Sequence, residues 1–286
     1  MNKTAIQRKP IELTYKLLRY LIPCAIGLIF LAWIGIPMIY CFLWSMVDPE
    51  YPWSYPAVLP EKLSFFHWRY IIENTRILDS VITSFLIAGS TTLLSFLIAL
   101  PTAYTLGRRK LKGAAIYKTI MLLPLVLPGM AMAIFLGRMI FMLHLSGTYI
   151  GVILAHTLMG VPYMMRILVV NFESVPQDLV DASSNLGAGA VTRFFEVYLP
   201  MIMPGLIAGA IFTFINSMEE FNLTFIIGLP MVKTIPTVLF SYLGEYFIRT
   251  RASVVSLILL IPNLTLLLIT ERFIKTEYMS AALGKM

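Results

Sequence analysis

Six stretches of this chain are too long, too apolar and too poor in charge to be the surface of a water-soluble fold. Residues 20–47, 80–107, 119–137, 197–218 and 252–270 contain no Asp, Glu, Lys or Arg, and a sixth, 139–165, carries only His144 and His156 besides. A helix needs about 20 such residues to cross the hydrocarbon core of a bilayer. Of the 286 residues only 13% are charged, about half the share usual for soluble domains. The expected fold class is therefore all-α, a polytopic membrane protein with six transmembrane helices. It divides into an N-terminal segment (1–19), a membrane domain (20–270) and a tail (271–286).

The first apolar stretch follows Lys3, Arg8, Lys9, Lys16 and Arg19, the pattern of a secretory signal. It is far longer than the 7–15 apolar residues of a cleaved signal, so a retained anchor is expected. Cys24 and Cys41 both fall inside it, 17 positions apart, which is about 25 Å along a helix and too far for a disulfide. Two cysteines also cannot make a four-ligand metal site, and no metal is expected.

Orientation follows from the basic residues between the stretches. The N-terminal segment, the 108–118 connection, residues 166–196 and the tail together hold 15 Lys and Arg, against 7 in the intervening connections. The richer side is expected to be cytoplasmic, with both termini inside. The formal net charge of +7 is then mostly topology. The basic residues sit at the ends of the apolar stretches with no basic face of their own, so nucleic acid is not an expected partner.

One cytoplasmic connection breaks the pattern. Residues 181–205 read DASSNLGAGAVTRFFEVYLPMIMPG, and the segment 171–196 is slightly acidic where the positive-inside rule alone favours a basic loop. Ser174 can cap a helix with Pro176 and Gln177 in its first turn, and Gly187 can stop it. A second helix is expected over 190–199, with Pro200 marking entry to the next span. Helix, glycine corner and helix make a stiff projection. On the residues alone, a surface hairpin without a partner remains open.

The stretch resembles the EAA loop of the membrane subunits of binding-protein-dependent ABC importers, whose pattern is Glu-Ala-Ala, three residues, Gly, then a long gap to Leu-Pro. Here it reads Asp181-Ala182-Ser183, Ser184-Asn185-Leu186, Gly187, then twelve residues to Pro200. SFLIAGSTTLLSFLIALPTAYTL is similar to the family's second core span and SMEEFNLTFIIGLP to the segment after its fifth, so the likeness covers about residues 65–275. Within the family the pattern is most similar to the spermidine/putrescine-type permeases.

The resemblance implies the type I ABC importer permease fold in a bacterial cytoplasmic (inner) membrane. It implies a loop at about 171–200 seated in a separate ATPase, with Asp181, Ala182, Ser183, Leu186, Gly187, Leu199 and Pro200 making the coupling element. The implied partners are two ABC ATPase subunits, a second permease subunit (paralogous or identical) and an extracytoplasmic solute-binding protein. No G-x-x-x-x-G-K-[ST] phosphate loop occurs; the chain's Gly284-Lys285 pair has no glycine five positions before it. The chain is thus not expected to be an enzyme or to hold a cofactor, ATP being bound by the partner ATPase.

A solute pathway is expected near Asn216, Glu219, Glu220 and Asn222, because paired carboxylates flanked by apolar chain are costly unless solvated or functional. If they face the pathway, the solute is a polyamine or similar cation; if they sit at the surface, they are a solvated helix end. Alternatives are an ABC permease for another small solute (an aminophosphonate, ferric ion or other anion) and an ion-coupled secondary transporter. A channel filter, an arginine-rich sensor and a catalytic or metal constellation have no counterpart in the sequence.

Two further features carry expectations. LPLVLPG at 123–129 and LPMIMPG at 199–205 share an L-P-x-x-x-P-G frame, and each is expected to kink a span at its cytoplasmic entry. The aromatic connection with Tyr51, Trp53, Tyr55, Phe65, Phe66, Trp68 and Tyr70 is expected to form an outer interfacial belt with a short helix over 65–73. FIIGLPMV and TVLFSYLG are expected to dip into the membrane or pack on it.

Overall fold

The computed structural model describes residues 8–109 and 111–283, so Lys3, Lys110 and the Gly284-Lys285 pair lie outside the described residues. The chain runs through α1 (Arg8–Ser45), α2 (Phe66–Asn74), α3 (Ile77–Arg108), α4 (Ala114–Met121), α5 (Leu123–Val126), α6 (Gly129–Met142) and α7 (Tyr149–Ser174). It continues through α8 (Gln177–Asn185), α9 (Ala190–Arg193), α10 (Leu199–Glu219), α11 (Ile235–Phe240) and α12 (Arg249–Leu283). Three π-helical turns, Phe194–Tyr198, Thr224–Gly228 and Ser241–Glu245, interrupt the α pattern.

Among the described residues, five helical segments are long and apolar enough to cross a membrane: Arg19–Ser45, Ile77–Arg108, Tyr149–Ser174, Ala190–Glu219 and Arg249–Ile269. A sixth crossing follows from helix direction. The Thr83 hydroxyl lies 3.5 Å from Tyr149 Oη. Gly160 abuts Ser95, and Gly107 abuts Phe172. α3 and α7 therefore run parallel, and the chain between them must return the full height of the bundle. It does so through α4, α5 and α6. The third apolar stretch is thus a broken crossing, not one helix. Its break falls at Leu127, which is extended (ψ 144°) ahead of Pro128, as a residue before proline prefers. Arg138 lies inside α6, not between two spans.

The second L-P-x-x-x-P-G frame behaves differently. Residues from Ala190 to Glu219 form one continuous 30-residue helical segment, so Pro200 is not an entry point and Pro204 lies inside α10. Packing explains the contrast. α10 buries Ile202, Gly205, Gly209, Thr213 and Ser217, with Gly205 against Asn171 and Gly209 against Met164 of the antiparallel α7. α4 and α5 bury no residue. Pro204, inside α10, removes one helical hydrogen bond, and the helix continues past it where it is held on its neighbours.

The centre of the bundle is the crossing of α3, α7 and α10. A Cβ added at Gly160 would stand 2.6 Å from Ser95 Oγ and 2.9 Å from Thr213 Cγ2, so these backbones approach as closely as glycine permits. Below it, Ala99, Ala103, Met164, Leu168, Phe172, Val180, Tyr198 and Ile202 make one apolar cluster. Outside the bundle, α2 matches the expected short helix within one residue at either end. Trp53 is buried, stacking on Tyr40 (5.5 Å) and Trp44 (4.8 Å). α11 packs on α3, α10 and α12.

Candidate functional site

The projection between α7 and α10 is built from short-range rules. α8 starts after Pro176 and carries Asp178 in its first turn, where a carboxylate complements the helix dipole. Ser174, the expected cap, is instead the last residue of α7, and its hydroxyl donates to Asn171 O (2.8 Å). α8 ends in a Schellman motif: Ala188 N donates to Ser183 O and Gly187 N to Ser184 O, each at 3.0 Å. The motif needs a left-handed residue, and Gly187 supplies it with φ +83°.

The inner face of α8 is anchored by Val180, buried with Leu106, Phe172 and Tyr198. Arg193 donates to Ser184 Oγ across the corner, and Lys118 meets Glu173 at 2.5 Å behind it. The outer face is bare. Asp181, Ala182, Leu186 and Gly187 are exposed, Ser183 is half-buried, and Leu186 is 88% exposed. Leu199 and Pro200 stand apart from this projection, within the continuous helix.

At the other end of α10 lies a small polar cavity of about 50 Å³, lined by His156, Met159, Gly160, Tyr163, Thr213, Asn216, Ser217 and Glu220. It has room for ordered water. The fully packed His156 ring bonds Ser217 Oγ (Nδ1, 2.8 Å) and Thr224 Oγ1 (Nε2, 3.0 Å), tying α7 to α10 and to the segment beyond it. Asn216 Nδ2 donates to Phe212 O (2.8 Å).

The structure brings Asn216 and Glu220 together here, but not Glu219 or Asn222. Glu219 points to α12 and accepts from Asn263 Nδ2 (2.9 Å). Glu220 caps the following turn by accepting from Leu223 N (3.0 Å). Asn222 lies against Gly129, whose added Cβ would stand 2.9 Å from Asn222 Nδ2. The break in the third crossing thus meets the segment after the fifth. His156, noted in the sequence only as a polar residue of an apolar stretch, and Tyr163 were not read as site residues, because their partners lie far along the chain. Among the described residues no three His, Cys, Asp or Glu side chains form a metal-binding group.

Six membrane crossings around a three-helix core, with a braced helix projecting between the fourth and fifth, define a transport permease. Residues 97–276 match the family "Binding-protein-dependent transport system inner membrane component", and the chain belongs to that family. It is 30% identical over 164 residues to the sulfoquinovosyl glycerol transport system permease protein SmoH of Agrobacterium fabrum, covering 57% of this chain and 58% of that protein. It is 26% identical over 225 residues to the molybdate/tungstate transport system permease protein WtpB of Thermococcus kodakarensis, covering 79% and 84%. Its fold matches a bacterial ABC transporter that imports the acidic polysaccharide alginate (TM-score 0.71, 16% identity, 88% and 95% covered). It also matches the MetNI methionine ABC transporter (TM-score 0.58, 18% identity, 70% and 95% covered). The fold is that of the type I ABC importer permeases.

Proposed function

We propose that this chain is the membrane subunit of an ATP-driven importer and that α8 is the element through which a separate ATPase drives it. The observation that carries the reading is the Schellman-capped helix, with Leu186 bare, braced against the same continuous helix that reaches the polar cavity. The coupling residues are Asp181, Ala182, Ser183, Leu186 and Gly187, with Leu199 and Pro200 in the helix that carries the movement. The assembly is two permease subunits, two ATPases and an external solute-binding protein, with both termini of this chain cytoplasmic. The solute moves by alternating access past Asn216 and Glu220.

The polyamine reading rested on the likeness to the spermidine/putrescine-type permeases and on one or both of Glu219 and Glu220 facing the pathway. Glu220 lines the cavity, while Glu219 is engaged by Asn263 on α12. An anionic small solute is the better-supported alternative. A cavity of about 740 Å³ lies between the starts of α3 and α7 and residues 230–233. It is lined by Arg76 and Lys233 with Asp79 as its carboxylate. The relatives named for molybdate, tungstate and sulfoquinovosyl glycerol lend the same support.

The test is purification of the tagged permease from membranes. An ATPase subunit should come with it, and Asp181→Ala should lower its recovery at equal permease abundance. Recovery of the permease without any ATPase, or full recovery with Asp181→Ala, would overturn the coupling assignment. Competition of uptake by oxyanions but not by polyamines decides the solute class.

A further inference from the structure

The cytoplasmic end of α3 reaches into the coupling projection through one side chain. Arg108, the last residue of α3, donates from Nη1 to Val175 O (2.8 Å) and Phe172 O (3.4 Å), and from Nη2 to Gln177 Oε1 (2.5 Å). Its guanidinium stands 5.4 Å from the centre of the Tyr198 ring. Phe172 O, which otherwise takes only the 3.4 Å bond from Val175 N, and Val175 O, on the residue capping α7, are carbonyls at the C-terminal end of that helix, where the negative end of its dipole lies. Gln177 in turn donates from Nε2 to Asp181 Oδ1 (2.8 Å), one turn further along α8.

The chemistry leaves one arrangement for this chain of bonds. A guanidinium has donors only. Gln177 must therefore turn its oxygen to Arg108 and its amide nitrogen to Asp181. The orientation of that amide, usually free to flip, is fixed by the cation behind it. Asp181 is exposed, and the bond to Gln177 holds one carboxylate oxygen while the side chain still faces outward. We infer that Arg108 is a positioning residue which, through Gln177, holds Asp181 in the orientation that meets the ATPase. The inference rests on the coupling role proposed for α8.

Arg108 lies in the basic connection that sets topology, where a lysine would serve equally. A lysine is a point donor without the planar fork, so it cannot hold the carbonyls of α7 and the amide of Gln177 together. The relay makes the orientation of Asp181 depend on the packing of α3 on α7, the largest interface in the bundle. Displacement of α8 relative to that core would break it.

The experiment uses the tagged permease purified with its co-assembled ATPase, in a background with Cys24→Ala and Cys41→Ala. It reads two quantities at matched permease abundance: ATPase recovered per permease, and mobility of a nitroxide on Val191→Cys, which is 72% exposed just past the corner and outside the coupling residues. Arg108→Lys and Gln177→Leu should each lower recovery by about tenfold, the lower end of the order expected for one charge-assisted hydrogen bond, and Arg108→Lys should raise label mobility. Gln177→Glu is decisive. It keeps an acceptor for Arg108 and so preserves a purely structural brace, yet it loses the donor to Asp181 and places a like charge beside it. It should lower recovery as Gln177→Leu does, with the label no more mobile than in the parent. On an Asp181→Ala background, Gln177→Leu should lower recovery no further. Normal recovery with Gln177→Glu, or an independent further loss on Asp181→Ala, would overturn the relay while leaving α8 as the coupling element. Full recovery with Asp181→Ala itself would overturn the coupling role, and the relay with it.

Discussion

Substitution of Gly187 isolates backbone geometry from packing, because a Cβ there meets nothing within 4 Å while φ is +83°. An L-residue in the left-handed region costs roughly 1–2 kcal/mol. The chain can escape that strain only by opening the corner. Opening gives up the Ala188–Ser183 and Gly187–Ser184 bonds, each worth about 0.5–1.5 kcal/mol net. The two routes cost much the same, so Gly187→Ala should lose on the order of 1–2 kcal/mol locally, a factor of about 5–30 in the population of the intact corner. Gly187→Val should lose more, since branching at Cβ further restricts the backbone. Gly187→Asn should lose least, because asparagine visits the left-handed region readily. None of the three touches the spans, so insertion and membrane abundance should match the parent.

The assay is ATPase recovery with the purified permease, alongside the mobility of a label at Val191, which is 72% exposed just past the corner. The expected order is Gly, Asn, Ala, Val. If Gly187→Val recovers as much ATPase as the parent, or if Asn and Val are indistinguishable, backbone geometry at the corner is not what the partner needs.

Three other outcomes are expected. A cysteine at Leu186 should react with an impermeant maleimide only from the cytoplasm and one at Tyr55, 97% exposed, only from outside; external labelling at 186 would invert the topology. His156→Ala should leave the Ser217 and Thr224 hydroxyls short of a partner at about 1–3 kcal/mol each, lowering the melting temperature in detergent by several degrees, whereas an unchanged Tm would show the tie is idle. His67 is buried at the outer end beside Arg251 and Asp48, and its pKa is lowered from the ordinary 6.5, first by burial and then by Arg251, against the opposing pull of Asp48. Below 6.5 the unfolded state therefore binds more protons than the folded one, and stability falls as pH drops from there toward the lowered value. The protection factors of the α2 amides, taken relative to intrinsic exchange at each pH, should fall on acidification through that window, and His67→Gln should flatten the dependence.

What the sequence made legible was local. Gly187 follows a helical run and must be left-handed to end it, so the corner is readable from residue order alone. The helix at 65–73 is readable for a similar reason, a short polar-apolar period between turn residues. In the third crossing the LPLVLPG frame announced a distortion and the break falls within it, but the division into separate short helices was not legible, because residues 119–137 are apolar throughout and a uniformly apolar stretch has no periodicity that a break could interrupt. Pro200 misled because a proline in the first turn of a new helix looks the same as one following a π-turn inside a longer helix. Glu219 and Glu220 read as a pair, yet one ends α10 and the other begins the next turn, so their side chains diverge. The contacts of His156 and of Arg108 bridge 61 to 69 positions, and nothing local announces them.

The difference between the two L-P-x-x-x-P-G frames bears on how movement could pass through the molecule. A hinge at Pro200 would let the coupling projection swing without disturbing the spans. The structure places no such hinge there: the 30 residues from Ala190 to Glu219 form a lever of about 45 Å at 1.5 Å per residue. Its near end is pinned to α8 through Arg193 and Ser184, and its far end to α7 through Ser217 and His156. Between them the Asn171 and Met164 side chains of α7 seat in the notches left by Gly205 and Gly209, where glycine permits that close approach. The helical break lies instead in the other frame, at Leu127 and Pro128, and the adjoining Gly129 abuts Asn222 just beyond the lever's far end. Displacement at the projection would thus be delivered, largely undamped, to the junction of the polar cavity and the broken crossing. Only the π-turn at Phe194–Tyr198 can absorb some of it.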